Sequence, residues 1–284
     1  MRRRTRVGLA VLLVVTSLAA TAGTAARWLV TPVDDGVITL LLLGSDEGPP
    51  RAGTPERGRA DAFHLLFVSP DREHATFVNI ARDAWVPIAD RGNGKINGCL
   101  AGGPDRCVRT VEGYFGIDVD HYLLTSMHGM AHAFEQFGGI DVEVDRALTM
   151  GGPDIAAGAQ HLNGYEALTY ARDRKNRPDG DFGRTRAQAE LLQRAHAEAV
   201  AGADLGSIAR AVAILSRHVV TDIPDAHLLR YGYAAMTLRP RNVANVTLPG
   251  TIGTAGAASV IRLGGGAAAL VADAADDGRV TATG

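Results

Sequence analysis

Apolar and polar residues alternate along this chain in two periods, and the switches between them mark out its elements. Residues 38–43 are an apolar run ending at Gly44, the pattern of a buried strand that stops at a turn. A second strand is expected over 61–68, a turn at Ser69-Pro70-Asp71, and a returning strand over 75–80. Beyond Trp85 the period lengthens. Residues 105–115 place Val108, Val111 and Phe115 on one helical face, 119–124 reads as a strand, and Ser126 caps a helix that reaches Phe137 and is stopped by Gly138-Gly139. A short strand over 140–144 follows, then helices over 163–172, 181–200, 206–219 and 225–236. Strands at 243–248 and 259–263 and a helix at 267–275 complete the pattern.

Such alternation predicts one α/β domain over residues 31–275, three α-β-α layers around a central mixed sheet, with no linker long enough to divide it. Residues 47–58, rich in Pro, Gly and Arg, read as a surface loop, and 276–284 as a flexible tail. Residues 1–30 form a separate unit. Arg2, Arg3, Arg4 and Arg6 precede an uncharged, mostly apolar stretch over 7–26, about the length that crosses a bilayer. The basic tip should stay cytoplasmic, which puts everything after Arg27 outside. Two readings are open: a single-pass membrane anchor, or a signal peptide cleaved near Ala20-Thr21-Ala22. Both export the domain.

Composition narrows the function classes. A hydrophobic content of 46% is that of a folded protein, and a formal net charge of -2 gives no global reason to bind nucleic acid. Cys99 and Cys107, an even pair in an exported domain, favour a disulfide. No histidine lies between them to support zinc, and His128 and His132 lack the glutamate of an HExxH helix. Gly94-Lys95 is not a phosphate loop, because Ala89 stands where the first glycine belongs and Ile96 replaces Ser or Thr. No GxSxG elbow supports a serine hydrolase.

Candidate chemistry concentrates over residues 169–188, where six cationic side chains and three aspartates sit between two helical patterns. Arg172 and Arg174 are two apart, so both converge on one group only where the helix has ended; Lys175 to Gly180 break any helix. Asp181 reads as the N-cap of the next helix, on which Arg184 and Gln188 share a face. Guanidinium groups bind phosphate oxygens bidentately and keep their charge. On composition alone, an anion site and a solvated loop of mutually neutralising charges stand level. Lys175 and Arg177 read as surface charges, and Met127, Met130, Phe134 and Phe137 as core residues at helical spacing.

The order of motifs resembles the LytR-CpsA-Psr family of bacterial cell-envelope proteins over residues 38–263. The residues carrying it are Gly44-Ser45-Asp46, Arg59-Ala60-Asp61-Ala62, Asn79-Ile80-Ala81-Arg82-Asp83-Ala84, and Lys95-Ile96-Asn97 with Gly102-Gly103. Phe137-Gly138-Gly139-Ile140, Leu162-Asn163-Gly164 with Ala167-Leu168, Tyr170-Ala171-Arg172-Asp173-Arg174 and Gly180-Asp181-Phe182-Gly183-Arg184 continue it. The chain departs from the family at Ala62 and Ala84, where hydroxyl residues are usual, and at Ala81, where proline is. Its Arg184-Thr185-Arg186-Ala187-Gln188 displaces the family's second arginine by one position, about 100 degrees around a helix, with Arg186 as the possible substitute.

The resemblance implies a phosphotransferase that moves a glycopolymer from a polyprenyl diphosphate carrier to peptidoglycan, through a phosphodiester, at the outer face of the membrane. It also implies tethering by the anchor. Arg82, Arg172, Arg174, Arg184 and Gln188 are then the expected diphosphate-binding residues, Arg82 and Asp61 the catalytic pair, and Asp46 and Asp61 the ligands of Mg²⁺ or Mn²⁺. The general base is open between Asp61 and Asp83. Two other activities are open: a non-catalytic polyprenyl phosphate-binding regulator and a diphosphate pyrophosphatase.

Overall fold

A computed structural model of the chain describes residues 36–46, 58–149, 153–201 and 204–281. The expected anchor or signal over 1–30, most of the 47–58 loop and the last three residues lie outside them. Among the described residues, no helix is long and apolar enough to cross a membrane.

Strands β1 (Ile38–Ser45), β2 (Ala60–Val68) and β3 (Ala75–Asn79) form an antiparallel meander. The hairpin of β4 (Trp85–Ile88) and β5 (Gly92–Lys95) and a 3-10 turn at Ile96–Gly102 lead into helix α1 (Pro104–Phe115). Strand β6 (His121–Ser126) returns parallel to β1, followed by α2 (Met127–Phe137) and a separate hairpin of β7 (Ile140–Val144) and β8 (Gly158–Leu162). Helices α3 (Gly164–Arg172), α4 (Asp181–Ala201) and α5 (Leu205–His218), strand β9 (Val219–Thr221) and helix α6 (Asp225–Thr237) come next. The chain ends in β10 (Val243–Thr247), the hairpin β11 (Gly250–Ala255) and β12 (Ala258–Leu263), and α7 (Gly266–Asp277). The central sheet is mixed, in the order β10-β3-β2-β1-β6-β9, with β1/β6 and β3/β10 parallel.

The alternation of side chains along β1 and β2 gives each face of the sheet its own core. Leu41, Leu43, Phe63, Leu65 and Phe67 pack with Cys107 and Val111 of α1 and with Leu270, Val271 and Ala274 of α7. Ala62, of the opposite parity, meets Met127 and Ala131 of α2 and Leu168 of α3. Each fully buried Leu or Phe contributes on the order of 2–3 kcal/mol. A second core joins β7 and β8 to α3 and α4 through Ile140, Val142, Leu162, Tyr170, Ala187 and Leu191. It lies under the chain between α3 and α4, the segment richest in candidate chemistry.

Local signals hold at the helix ends. Ser126 Oγ accepts from the Gly129 N–H at 2.8 Å, and Asn163 and Glu166 form a reciprocal capping box. Gly164 is required where α3 crosses α2, because a Cβ there would lie 2.0 Å from the Ala131 carbonyl oxygen. Cys99 and Cys107 form the expected disulfide, fully buried, which staples the 3-10 turn to α1.

Other elements differ from the sequence pattern. β5 (Gly-Asn-Gly-Lys) and β11 (Gly-Thr-Ile-Gly-Thr-Ala) carry almost no apolar pattern and become strands only by pairing with β4 and β12. β6 begins two residues later than expected, because Asp120 is used to bind Thr39: its carboxylate accepts from Thr39 N at 2.7 Å. At the C-terminus, α7 continues to Asp277. The Gly278 carbonyl then accepts from Thr76 Oγ1 at 2.9 Å, and Arg279 reaches Asp71 at 3.0 Å, so residues 276–279 are held against the domain.

A titratable polar group is buried in the sheet. His64 of β2 is 1% exposed and shares its Nδ1 with Asn79 Oδ1 at 2.8 Å. Asn79 Nδ2 donates to Asn245 Oδ1, and Asn245 in turn donates to Gln193 of α4 at 2.9 Å. This ladder fastens α4 to the sheet. Burial drives the His64 pKa down to about 4, against the opposing effect of the Asn79 bond. Between pH 6.5 and 4 the unfolded chain therefore binds a proton that the folded chain refuses, and stability falls with pH. We expect acidification through this window to remove up to about 3 kcal/mol of stability through His64 alone. Denaturant unfolding of the His64→Gln variant should show that much less pH dependence than the parent.

Candidate active site

The candidate residues meet at the carboxyl ends of β1 and β3. In the β1/β2 ladder, Gly44 faces Ala62 and Ser45 faces Ala60, which leaves Asp61 as the extra residue of a bulge. Gly44 allows this close pairing, since a Cβ there would lie 2.8 Å from Ala62 Cβ. Asp46 lies just beyond the same strand end. Its N–H donates to the Arg59 carbonyl at 3.0 Å, and its Oδ1 accepts from Arg59 N–H at 2.8 Å.

Arg82 sits in the turn after β3, and its backbone is fixed from two sides. Arg82 O accepts from Asn97 N–H at 3.2 Å, and the Ile261 N–H of β12 donates to Asp83 O at 2.9 Å. Lys95 holds the Asp83 carboxylate at 3.0 Å. Lys95 and Asn97 thus brace the turn that carries Arg82.

The third contribution comes from the segment joining α3 to α4. Arg172 is the last residue of α3, and Asp173 leaves the helix at φ -66°, ψ 125°; this bend brings Arg172 and Arg174 to one cavity although they are only two apart. Asp173, fully buried, organises the loop. Its Oδ1 accepts from Asn176 N and Nδ2 at 3.2 and 3.0 Å, and its carbonyl accepts from Arg177 Nε at 3.2 Å.

Helix α4 starts at Asp181, which is not the N-cap expected from the sequence. It stands inside the first turn, and its carboxylate is drawn into the site by Arg184 and, at 3.9 Å, by Arg82 Nε. One turn on, Gln188 is buried. Its Nε2 donates to Ala171 O at 3.1 Å and to Asp61 O at 3.4 Å. Both amide hydrogens are thereby directed at main-chain carbonyls, so Gln188 ties α4 to α3 and β2 instead of presenting donors to a phosphoryl oxygen.

Together these elements enclose a cavity of about 210 Å³, lined by Asp61, Arg82, Met127, Arg172, Arg174, Lys175, Arg184 and Gln188. Charges alternate from Asp61 and Arg82 of this wall through Asp181 to Arg184. Burial opposes the charge on Arg82, but the Asp61 contact, helped by Asp83 and Asp181, more than offsets it, and Arg82 titrates above an ordinary arginine. For Asp181 burial dominates and, with Asp83, raises the pKa despite Arg184. Burial likewise lowers Arg184, which stays charged at any ordinary pH. Asp61 Oδ1, Arg82 Nε, Asp181 Oδ2, Arg184 Nε and Gln188 Oε1 are buried without a hydrogen-bond partner. Asp61 Oδ1 meets the Arg82 guanidinium as an ion pair. So many open donors and acceptors in one place describe a site built for a polar ligand.

Several expected residues lie elsewhere. Asp46 is not on the cavity wall. Arg186 points to the far side of α4, 58% exposed and paired with Asp179, so it does not substitute for the displaced arginine. Arg177 is no free surface charge: it stacks over the Tyr170 ring at 4.8 Å and pairs with Asp173 at 3.8 Å. Lys175, in contrast, lines the cavity. Of the apolar set, Met127 reaches the cavity, Phe134 belongs to the second core, and Phe137 is 44% exposed. Asp181 was missed as a member of the site; its spacing of three from Arg184 on a helix is the pattern that marks it.

The profile of the LytR_cpsA_psr family matches residues 17–272. The chain is 31% identical over 188 residues to a polyisoprenyl-teichoic acid–peptidoglycan teichoic acid transferase TagU of Bacillus mycoides, covering 66% of this chain and 60% of that protein. It is 35% identical over 158 residues to the protein of that name from Bacillus anthracis, covering 55% and 50%. It thus spans between half and 60% of the length of these curated relatives. The crystal structure of B. subtilis TagV superposes with a TM-score of 0.70 at 25% identity, over 81% of this chain and 91% of that one. A LytR-Csp2A-Psr enzyme from Actinomyces oris shares the fold, with a TM-score of 0.69 at 20% identity over 86% and 91%. Matched along nearly its whole length, the chain belongs to the LytR_cpsA_psr family.

Proposed function

We propose that this protein transfers a glycopolymer from a polyprenyl diphosphate carrier to peptidoglycan, forming a phosphodiester, outside the cell membrane to which residues 7–26 anchor it. The observation that carries the reading is the cavity in which Arg82, Arg172, Arg174 and Arg184 converge beside Asp61. The TagU relatives are named as transferases of polyisoprenyl-linked teichoic acid to peptidoglycan, which supports the same substrate classes here.

The cavity's chemistry suits a diphosphate. Arg172 and Arg174 have no carboxylate within salt-bridge distance among the described residues, and their guanidinium groups each offer paired donors to a phosphoryl group. Arg82 and Arg184 are held in place by Asp61 and Asp181, so their aim is set before substrate arrives. Fixed positive charge of this kind stabilises the charge that develops as the bridging P–O bond breaks, with no reorganisation at that moment.

A hard cation such as Mg²⁺ or Mn²⁺ fits the oxygen atoms available. Gln188 Oε1 is a buried acceptor without a donor, Asp61 Oδ1 meets Arg82 as an ion pair, and oxygen is the ligand type these ions take. Among the described residues no three acidic, His or Cys side chains form a complete cation site, so Asp61 would hold the ion together with substrate oxygens and water. When bound, it would offset negative charge on the diphosphate.

The test uses the full-length chain in detergent with a polyprenyl diphosphate-linked glycopolymer and peptidoglycan. Polymer should become covalently attached to peptidoglycan, and chelation of divalent ions should stop it. Asp61→Ala and Arg172→Ala should each lower transfer by about 100-fold or more, whereas Arg186→Ala should stay within roughly threefold, as for surface positions away from the site. Free polymer phosphate as the sole product would identify a pyrophosphatase, and lipid binding without turnover a regulator; either result overturns the proposal.

A further inference from the structure

The arginines do not exhaust the cavity's charge. Arg82 faces Asp61, Arg184 faces Asp181, and Lys95 holds Asp83. Arg172, Arg174 and Lys175 remain on the wall with no carboxylate in salt-bridge distance among the described residues. A diphosphate esterified at both ends carries one negative charge on each phosphoryl group, and two arginines match it. The third cation, Lys175, has no counterpart in that substrate.

The loop on either side of it is held by its neighbours. Asp173, two residues before it, is fully buried and binds both the backbone and side chain of Asn176, directly after it. Arg177 is tied to the Asp173 carbonyl at 3.2 Å and stacked on Tyr170. Those residues are occupied in holding the loop, while Lys175 and Arg174 line the cavity.

We propose that Lys175 is a further catalytic residue that binds the departing polyprenyl phosphate, contacting it through the charge that appears only as the diphosphate breaks. The inference rests on the transfer reaction above. In that reaction the acceptor hydroxyl oxygen forms a bond to the glycan-bearing phosphorus, and the bridging P–O bond to that phosphorus breaks. The bridging oxygen leaves with the bond's electron pair on the polyprenyl phosphate, whose charge changes from one to two negative units, and the hydroxyl proton passes to water. A compact ammonium with three donors suits the three terminal oxygens of a phosphate monoester. A cation satisfied late in the reaction favours the transition state over the bound substrate.

The test separates binding from turnover. Calorimetry with the full-length chain would compare farnesyl phosphate with a sugar-esterified farnesyl diphosphate, at pH 8 and at pH 5, on either side of the monoester's second pKa of about 6. Lys175→Met should weaken binding of the pH 8 dianion about tenfold and flatten its pH dependence relative to the parent, and should weaken the esterified diphosphate less than about threefold. Lys175→Arg should restore most of the loss. In transfer assays Lys175→Met should lower kcat by about tenfold or more at nearly unchanged KM. Equal weakening of both ligands, no weakening, or an unchanged kcat overturns the role of Lys175. A parent protein that binds both lipids yet transfers nothing overturns the transferase reading instead, and Lys175 is then judged on the affinity difference alone.

Discussion

The chain of alternating charges Asp61, Arg82, Asp181 and Arg184 is the constraint on which the rest of the site depends. Its members are partly or largely buried, and the two inner ones, Arg82 and Asp181, each stand between opposite charges. Desolvating such groups costs several kcal/mol per ion, and the attraction between neighbours offsets that cost only while the whole row is in place. Removing Arg82 leaves Asp61 without its cation, and removing Asp181 leaves Arg184 without its carboxylate. The row therefore ties the bulge of β2, the turn after β3 and the first turn of α4 to a single arrangement. Two arginines are immobilised as a result, and Arg172, Arg174 and Lys175 are left facing the cavity.

Support for that arrangement comes from outside it. The hairpin of β7 and β8 shares a core with α3 and α4, so the connecting loop rests on packed side chains, and Asp173 holds the loop from within. Gln188 and Gln193, both on α4, fasten the helix to β2 and, through Asn245 and Asn79, to the central sheet. The hairpin of β11 and β12 and the segment ending in Lys95 and Asn97 perform the same service for Arg82. The phosphate-facing side chains are few, and most of the charged and amide groups nearby position them.

Much of the fold was legible in the sequence because its signals are local. Apolar runs and their two periods marked the meander and most helices, while Ser126 and Gly138 announced helix ends by rules that need only adjacent residues. The strands that escaped detection, β5 and β11 among them, have little apolar pattern and exist through pairing with partners. Within the site, the convergence of Arg172 and Arg174 could be anticipated from the helix-breaking residues that follow them. Asp181 was assigned to a cap, because nothing in the sequence reports that Arg82, about a hundred residues earlier, stands within 4 Å of its carboxylate.

By itself the sequence determined the class of the fold, the disulfide, and the family to which the motifs belong, since each is written in residue types and spacings along the chain. Only the tertiary structure decided which charges are free. Arg177 and Arg186 are spent on Tyr170, Asp173 and Asp179, Lys175 faces the cavity, and Gln188 turns its donors to the main chain. Whether a cation is available to a ligand depends on the carboxylates that approach it in space, and that proximity is set by packing between segments far apart in sequence.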